Sequence, residues 1–416
     1  MTKDVPDYCV VGGNPASIIK SESEYCYMQN KRIREKIRVC HIIYDLSTAG
    51  AQTVVMNYLR QIENNSEFEF VVLVRGKYSD STYEKEAKEK GYKVCYCNYE
   101  PWLGNRFIRP IVNWLKCQVM MFREIRKIKP DVIHTHLANI VPFVAFPSLL
   151  TKTKVKVHTL HSDPYAVSKG YALWTKIALK YLGFYPICVT EDQAEKAEKR
   201  YSIKNYKVIH NGLNIERYAL VESKRSIRES LGIPEDAFVI GTVGSLYKTK
   251  NVGFLIDVYA EYKAVHSNAF LLIVGDGVDR KILEQKCKKL NLSGYLFTGK
   301  RDDVERMYKA MDVFMLTSLF ESSSIVTVEA QLSGIRCILS EAIPKSVIIS
   351  DSVNRLSLND SIDYWIAALE KRVVCEKKVN EVEMFTISKM TEDTCHLYKF
   401  LLGRKENSDK AKKSIY

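Results

Sequence analysis

Glu321 and Glu329 stand eight residues apart in the stretch Ser318-Leu319-Phe320-Glu321-Ser322-Ser323-Ser324-Ile325-Val326-Thr327-Val328-Glu329-Ala330. An apolar run, Val313–Leu316, precedes it, and helix-spaced apolar residues follow from Ile325. The pattern predicts strand, loop, then helix. Glu321 falls in the loop and Glu329 about two turns into the helix, so both carboxylates can face one cleft. Each accepts hydrogen bonds from a vicinal diol, which suits a hydroxyl-rich ligand. Ser322, Ser323 and Ser324 are natural N-cap residues. The free N–H groups of the first turn suit an anion or sugar oxygens. Alone, these residues also fit a capping carboxylate and a buried-edge glutamate.

The elements that position this loop repeat along the chain. Predicted strands at Ile37–Ile43, Phe68–Val74, Lys93–Tyr96, Asp131–His136, Val155–Leu160 and Ile187–Val189 alternate with helices at about 53–64, 82–90 and 107–128. Such alternation specifies parallel sheets with right-handed crossovers. The pattern restarts near residue 205, with a strand at Lys207–Ile209 ending in His210-Asn211-Gly212. Strands follow at Phe238–Val243, Phe270–Val274, Tyr295–Thr298, Val313–Leu316 and Arg336–Leu339, again between helices. The fold class is therefore α/β, with two doubly wound, Rossmann-like domains facing across a cleft. Residues 36–205 form the first domain and 206–402 the second. A terminal helix, about 392–402, packs back across the hinge, and 403–416 is a mobile tail. Residues 1–35 form an extension expected to be disordered. Ligands of such sheets lie at the carboxyl ends of the strands.

At 416 residues with 46% hydrophobic content, the chain can build two cores. No run of about 18 apolar residues occurs, so no spanning helix is expected. Residues 1–20 have neither a basic nor an apolar signal-peptide region. The 11 cysteines are scattered and fit reduced thiols in a cytoplasmic setting better than a disulfide framework. The net charge of +13 favours anionic partners. No nucleic-acid-reading motif accompanies it, so the partners expected are phosphorylated substrates and an anionic membrane surface. The segment 101–129 mixes Trp102, Phe107, Trp114, Met120 and Phe122 with basic residues. It is expected mainly to cover the sheet, with a basic edge touching lipid.

Taken together, Glu321 and Glu329, Gly275-Asp276-Gly277, Thr298-Gly299, Arg301-Asp302-Asp303-Val304 and Asp312-Val313-Phe314 resemble the motif order of retaining glycosyltransferase family 4, whose fold is GT-B. The similarity runs from roughly Ile37 to Ser340. It implies that Glu321 holds the donor sugar and Glu329 the ribose. Gly244-Ser245 to Lys250-Asn251 resembles the family's diphosphate loop, with Lys250 in the place of its lysine. A cation there stabilises the charge on a departing nucleoside diphosphate without a metal. Ser245 stands where the family has arginine, and Lys248 is a substitute. Ala49-Gly50-Ala51-Gln52 takes the place of the Gly-Gly-x-Glu loop. Gly50 lets the backbone approach the donor phosphates, and Gln52 replaces an acid. Asp131–His136 resembles the family's strand end, which makes His136 the site residue of the first domain. Ser322–Ser324 replace glycine and apolar residues, keeping the amides but narrowing the pocket.

The resemblance implies a retaining, hexosyl-type glycosyltransferase that needs neither metal nor cofactor. Its substrates would be a nucleotide sugar, UDP-linked, and a glycan or lipid-linked saccharide of capsule or exopolysaccharide synthesis. It would act in the cytoplasm, peripheral to the membrane. Two other readings stay open: a catalytically impaired scaffold subunit, on Ser245, Gln52 and the serine triplet, and a sugar-nucleotide epimerase. Separately, Val10–Ala16 resembles the last coil of a hexapeptide-repeat acetyltransferase. One coil cannot bury its own apolar face, so it carries no acetyl transfer.

Overall fold

A computed structural model describes residues 10–12, 17–20, 36–47, 49–63, 65–219, 221–371 and 382–413, with side chains from 36 to 403. Within the N-terminal extension, Val10–Gly12 pairs with Ser17–Lys20. The pairing is antiparallel, whereas coils of a β-helix stack in parallel. The rest of 1–35 lies outside the described residues.

The first sheet contains β1 (Ile37–Ile43), β2 (Phe68–Val74), β3 (Lys93–Tyr96), β4 (Val132–His136), β5 (Val155–Leu160), β6 (Phe184–Cys188) and β7 (Lys207–Val208). All are parallel, in the order β3-β2-β1-β4-β5-β6-β7. Sequence places the sixth strand at Ile187–Val189. It begins earlier because Gly183 turns the chain at φ 74° and Phe184 enters the core. Pro186, a residue disfavoured in strands, hides this start. A second correction concerns Lys207–Val208, expected to open the second domain. It pairs with Ile187 and Cys188 and closes the first sheet instead.

The second sheet contains β8 (Phe238–Val243), β9 (Ala269–Val274), β10 (Tyr295–Gly299), β11 (Val313–Leu316), β12 (Arg336–Ser340) and β13 (Val353–Leu356). Its order, β10-β9-β8-β11-β12-β13, repeats the doubly wound topology of the first. The two architectures together are those of a GT-B fold. Strands β9 and β11 are buried throughout and read as continuous apolar runs, whereas β4, equally buried, carries His134, Thr135 and His136.

Helices cover both faces. Helix α1 (Gly50–Ile62) buries Val54, Val55, Tyr58 and Leu59 on one face of the first sheet. Helix α2 (Thr82–Glu89) starts with a capping box between Ser81 and Glu84. Helix α3 (Arg109–Ile128) buries Cys117, Met121, Ile125 and Ile128, four residues that share one side at helical spacing. Its other side leaves Ile111, Leu115 and Val119 exposed.

The helix Ile387–Lys413 begins and ends beyond the expected 392–402. Its later residues include Arg404, Lys405, Glu406, Lys410, Ala411, Lys412 and Lys413, all good helix formers, so polarity alone did not end it. It packs on the first sheet through Met390, Cys395, Leu397 and Tyr398. The Tyr398 hydroxyl meets His134 Nδ1 at 2.6 Å, and Tyr58 meets Thr394 at 2.9 Å. Two crossing segments join the halves, with the Leu213 N–H donating to Phe385 O at 2.7 Å. A β-carbon on Gly212 would sit 2.6 Å from Ile387 Cα, so only glycine lets the two backbones cross. Among the described residues, no helix is long and apolar enough to cross a membrane.

Candidate donor site

Three loops meet at the carboxyl edge of the second sheet. The first follows β8 and carries Gly244, Ser245 and the tight turn Lys248–Lys250. The second follows β9 at Gly275. There a β-carbon would lie 1.9 Å from Gly244 O, and φ is +131°. Glycine is thus what lets these two loops lie side by side. The third, Thr317–Ser324, leads from β11 into helix α4 (Ile325–Leu332). Backbone and side chain lace it to the first: Leu319 N–H donates to Thr249 O at 2.8 Å, and Thr317 Oγ1 to Asn251 O at 3.0 Å.

This lacing brings Lys250 against Glu321. Their side chains form an ion pair while only 21% and 10% exposed. Ser318 Oγ donates to the same glutamate oxygen at 2.9 Å. Ser245 and Lys248 are exposed on the turn. Lys248 has no carboxylate partner among the described residues, whereas the Lys250 side chain lies against Gly244.

Glu329 lies deeper. Tyr218 donates to Oε1 at 2.8 Å and Tyr308 to Oε2 at 2.9 Å. Burial pushes its carboxyl above the usual range, and the two phenols oppose that rise. Each carboxylate oxygen retains a second acceptor direction. Sequence reasoning missed both tyrosines, because their contacts arise 111 and 21 residues away.

The serine triplet does not act as the N-cap expected. Ser324 occupies the cap position at φ 36°, but no side-chain capping bond forms. Its hydroxyl instead meets Thr327 Oγ1 at 2.8 Å. Ser322 and Ser323 bind across the cleft. Ser322 Oγ donates to His161 O at 2.8 Å, and Thr190 Oγ1 donates to Ser322 O at 2.9 Å. Asn211 Nδ2 donates to Ser323 Oγ at 3.0 Å. Ser322 therefore ties the donor loop to the first domain, and Ser323 ties it to the segment that joins the two.

In the first domain, Gly50 opens α1 and is exposed, with nothing within 4 Å of an added β-carbon. Gln52 turns inward and donates to Asp45 at 2.8 Å. His136 is fully buried. Its Nε2 meets His41 Nδ1 at 2.9 Å, and its Nδ1 meets His161 Nε2 at 3.0 Å. His161, one residue past β5, is the partly exposed end of this row. The strand-end rule that singled out His136 applies equally to His161. Ring nitrogens of His41, His134 and His136 lie within 4.8 Å of one another. Both nitrogens of His134 and of His136 already have hydrogen-bond partners.

Residues 48–217 match the family model described as Glycosyltransferase Family 4, and residues 223–382 the one described as Glycosyl transferases group 1. Fold and matches together define the class: the chain is a glycosyltransferase of the GT-B type. Among curated relatives, a protein named as glycosyltransferase EpsF of Bacillus subtilis (strain 168) is 24% identical over 86% of this chain and 93% of its own. The UDP-Gal:alpha-D-GlcNAc-diphosphoundecaprenol alpha-1,3-galactosyltransferase of Escherichia coli is 25% identical over 84% and 91%. The crystal structure of Anabaena HepE with UDP and glucose superposes with a TM-score of 0.69 at 17% identity, covering 87% of this chain and 99% of that one. At that identity the likeness speaks to fold alone.

Proposed function

We propose that this chain transfers a hexose-type sugar, with retention, from a UDP-linked donor to a lipid-linked saccharide. The setting is capsule or exopolysaccharide synthesis at the cytoplasmic face of a membrane. The observation that carries the reading is the Lys250–Glu321 pair at the carboxyl edge of the second sheet. Lys250, with Lys248 beside it, takes the diphosphate and stabilises it as it leaves, with no metal or cofactor. Glu321 accepts from hydroxyls of the donor sugar, and Glu329 from the ribose diol. Gly50, Gly244 and Ser245 let backbone approach the phosphates, and the amides of Ser322, Ser323 and Ser324 face the sugar. His136 acts on the sugar side through His161. In the retaining step, the acceptor hydroxyl forms its bond to the anomeric carbon on the face from which UDP departs. The leaving phosphate takes the acceptor's proton.

The acceptor class draws support from the diphosphoundecaprenol substrate in the name of the Escherichia coli relative. It also draws support from a relative named Alpha-monoglucosyldiacylglycerol synthase, of Acholeplasma laidlawii. The exposed Leu103, Phe107, Ile111, Leu115 and Val119, next to Arg106, Arg109 and Lys116, form an apolar stripe with basic neighbours. Such a face suits an anionic membrane surface. On this reading the inner side of helix α3 covers the sheet and its outer side meets lipid.

The test is thermal stabilisation by UDP, GDP and ADP. A nucleotide at 100 times its Kd stabilises by about 2.7 kcal/mol. UDP is expected to raise the midpoint, and Glu329→Ala to abolish the rise. That variant also deprives the Tyr218 and Tyr308 phenols of a carboxylate partner, Tyr308 keeping only Val326 O, so the readout is the ligand-induced shift, not the starting midpoint. A protein indifferent to all three nucleotides would be a scaffold rather than a transferase.

A further inference from the structure

Arg75 is the first residue after β2, and its side chain is only 7% exposed. Its guanidinium lies 4.7, 4.3 and 4.2 Å from the ring centroids of Tyr44, Tyr99 and Phe143. Nε donates to Cys117 Sγ at 3.3 Å, and the Tyr44 hydroxyl lies beside the group. No carboxylate among the described residues pairs with it. A guanidinium taken out of water is normally matched by a carboxylate or phosphate, whose geometry fits its fork. Ring faces offset part of the desolvation. A thiol and a phenol carry no negative charge at neutral pH. This cation is therefore enclosed without a counterion.

Its position points outward to a ligand. Tyr44 follows β1, Arg75 follows β2 and Tyr99 lies just beyond β3, so the box is built from three strand ends. The Arg75 N–H donates to Ile43 O at 3.0 Å, which fixes the edge. That edge is where parallel sheets receive ligands. Cys117 closes the box from α3. Leu115 and Val119, two residues to either side, are 51% and 49% exposed. Positions two apart on a helix differ by about 200°. One helix thus encloses Arg75 on its inner side and presents the apolar stripe on its outer side.

We propose that the Arg75 box binds the phosphate of the acceptor: the phosphate or diphosphate ester that joins a saccharide to its lipid. The fork engages two non-bridging oxygens. The lipid chain leaves toward the α3 stripe, and the saccharide points into the cleft. This inference rests on the lipid-linked acceptor reading above.

Inorganic pyrophosphate, titrated calorimetrically into the protein saturated with UDP, tests the site apart from the donor loop. Arg75→Gln is expected to weaken pyrophosphate about 10- to 100-fold, the range for losing charged hydrogen bonds. UDP affinity should stay unchanged. Arg75→Lys keeps the charge without the fork; it should fall in between, and it serves if the glutamine variant does not fold. Phosphatidylcholine vesicles carrying polyprenyl diphosphate, against vesicles carrying polyprenol, identify the source. Wild type should prefer the diphosphate vesicles by a similar factor, and Arg75→Gln should bind both alike. Pyrophosphate binding without vesicle preference would overturn the acceptor assignment. Equal pyrophosphate affinity in wild type and Arg75→Gln would overturn the site itself. A wild type that ignores UDP would sink the parent reading instead.

Discussion

Acidification from pH 7 to pH 5 is expected to cost roughly 2 kcal/mol for each buried histidine of the first domain, by proton linkage. Five histidines gather behind β1, β4 and β5: His41, His134, His136, His158 and His161. Burial lowers all of them, His41 and His161 to about 3 and His158 to about 4. His134 and His136 fall well below the ordinary value through burial, then through neighbouring histidines. The unfolded chain takes up protons near pH 6.5, whereas in the fold His41, His158 and His161 do not until near pH 3 to 4, and His134 and His136 resist protonation well below the ordinary value. Their contribution is therefore full above pH 6.5 and is lost as pH falls toward those values. Several such terms rival the whole stability of a domain, roughly 5–15 kcal/mol.

Urea midpoints at pH 7.5, 6.5 and 5.5 give the check. The slope should be steep, and His41→Gln should remove about 1.4 kcal/mol of the change between pH 7.5 and 5.5, the share of one titrating group. His41 suits the substitution because its Nε2 has no partner to strand. A midpoint that stays level between pH 7.5 and 5.5 would mean these rings charge freely in the fold.

These histidines also mark where sequence stops being informative. The strands were legible because their burial on both faces writes itself as apolar runs. Ile37–Ile43, Phe68–Val74 and Val313–Leu316 have the bounds that periodicity predicts. Some helices were missed, among them Lys169–Tyr181 and Glu191–Tyr201. The latter buries only Gln193, Ala194, Ala197 and Tyr201, too faint a stripe to stand out from its charges. The site divides in the same way. Glu321 and Lys250 could each be placed on a loop following a strand, though their ion pair could not be foreseen. Tyr218 against Glu329 could not, nor could Ser322 against His161, because distant segments make those contacts. Motif reading supplied roles for residues, and the geometry added the groups that occupy them.

Lys250→Met is expected to lower turnover by about 100- to 1,000-fold, the usual loss when one preorganised group facing developing charge is removed. The effect has two parts that must be separated. Lys250 neutralises Glu321, whose side chain is only 10% exposed. Deleting the lysine strands that carboxylate, at a cost of roughly 1–3 kcal/mol in stability. A loss of activity could then reflect a deformed loop rather than a missing cation. The double variant Lys250→Met with Glu321→Gln resolves this, because a neutral amide no longer needs the lysine and still accepts from Ser318 Oγ. Its thermal midpoint should return toward wild type. Its turnover, measured as UDP released from a UDP-hexose with acceptor present, should stay as low as in Lys250→Met or lower. Glu321→Gln alone should keep the cation yet lose grip on the donor sugar, so KM for the donor rises. If the double variant recovered turnover along with stability, Lys250 would be a structural partner of Glu321, and the leaving diphosphate would be stabilised elsewhere, with Lys248 the next cation on the same turn.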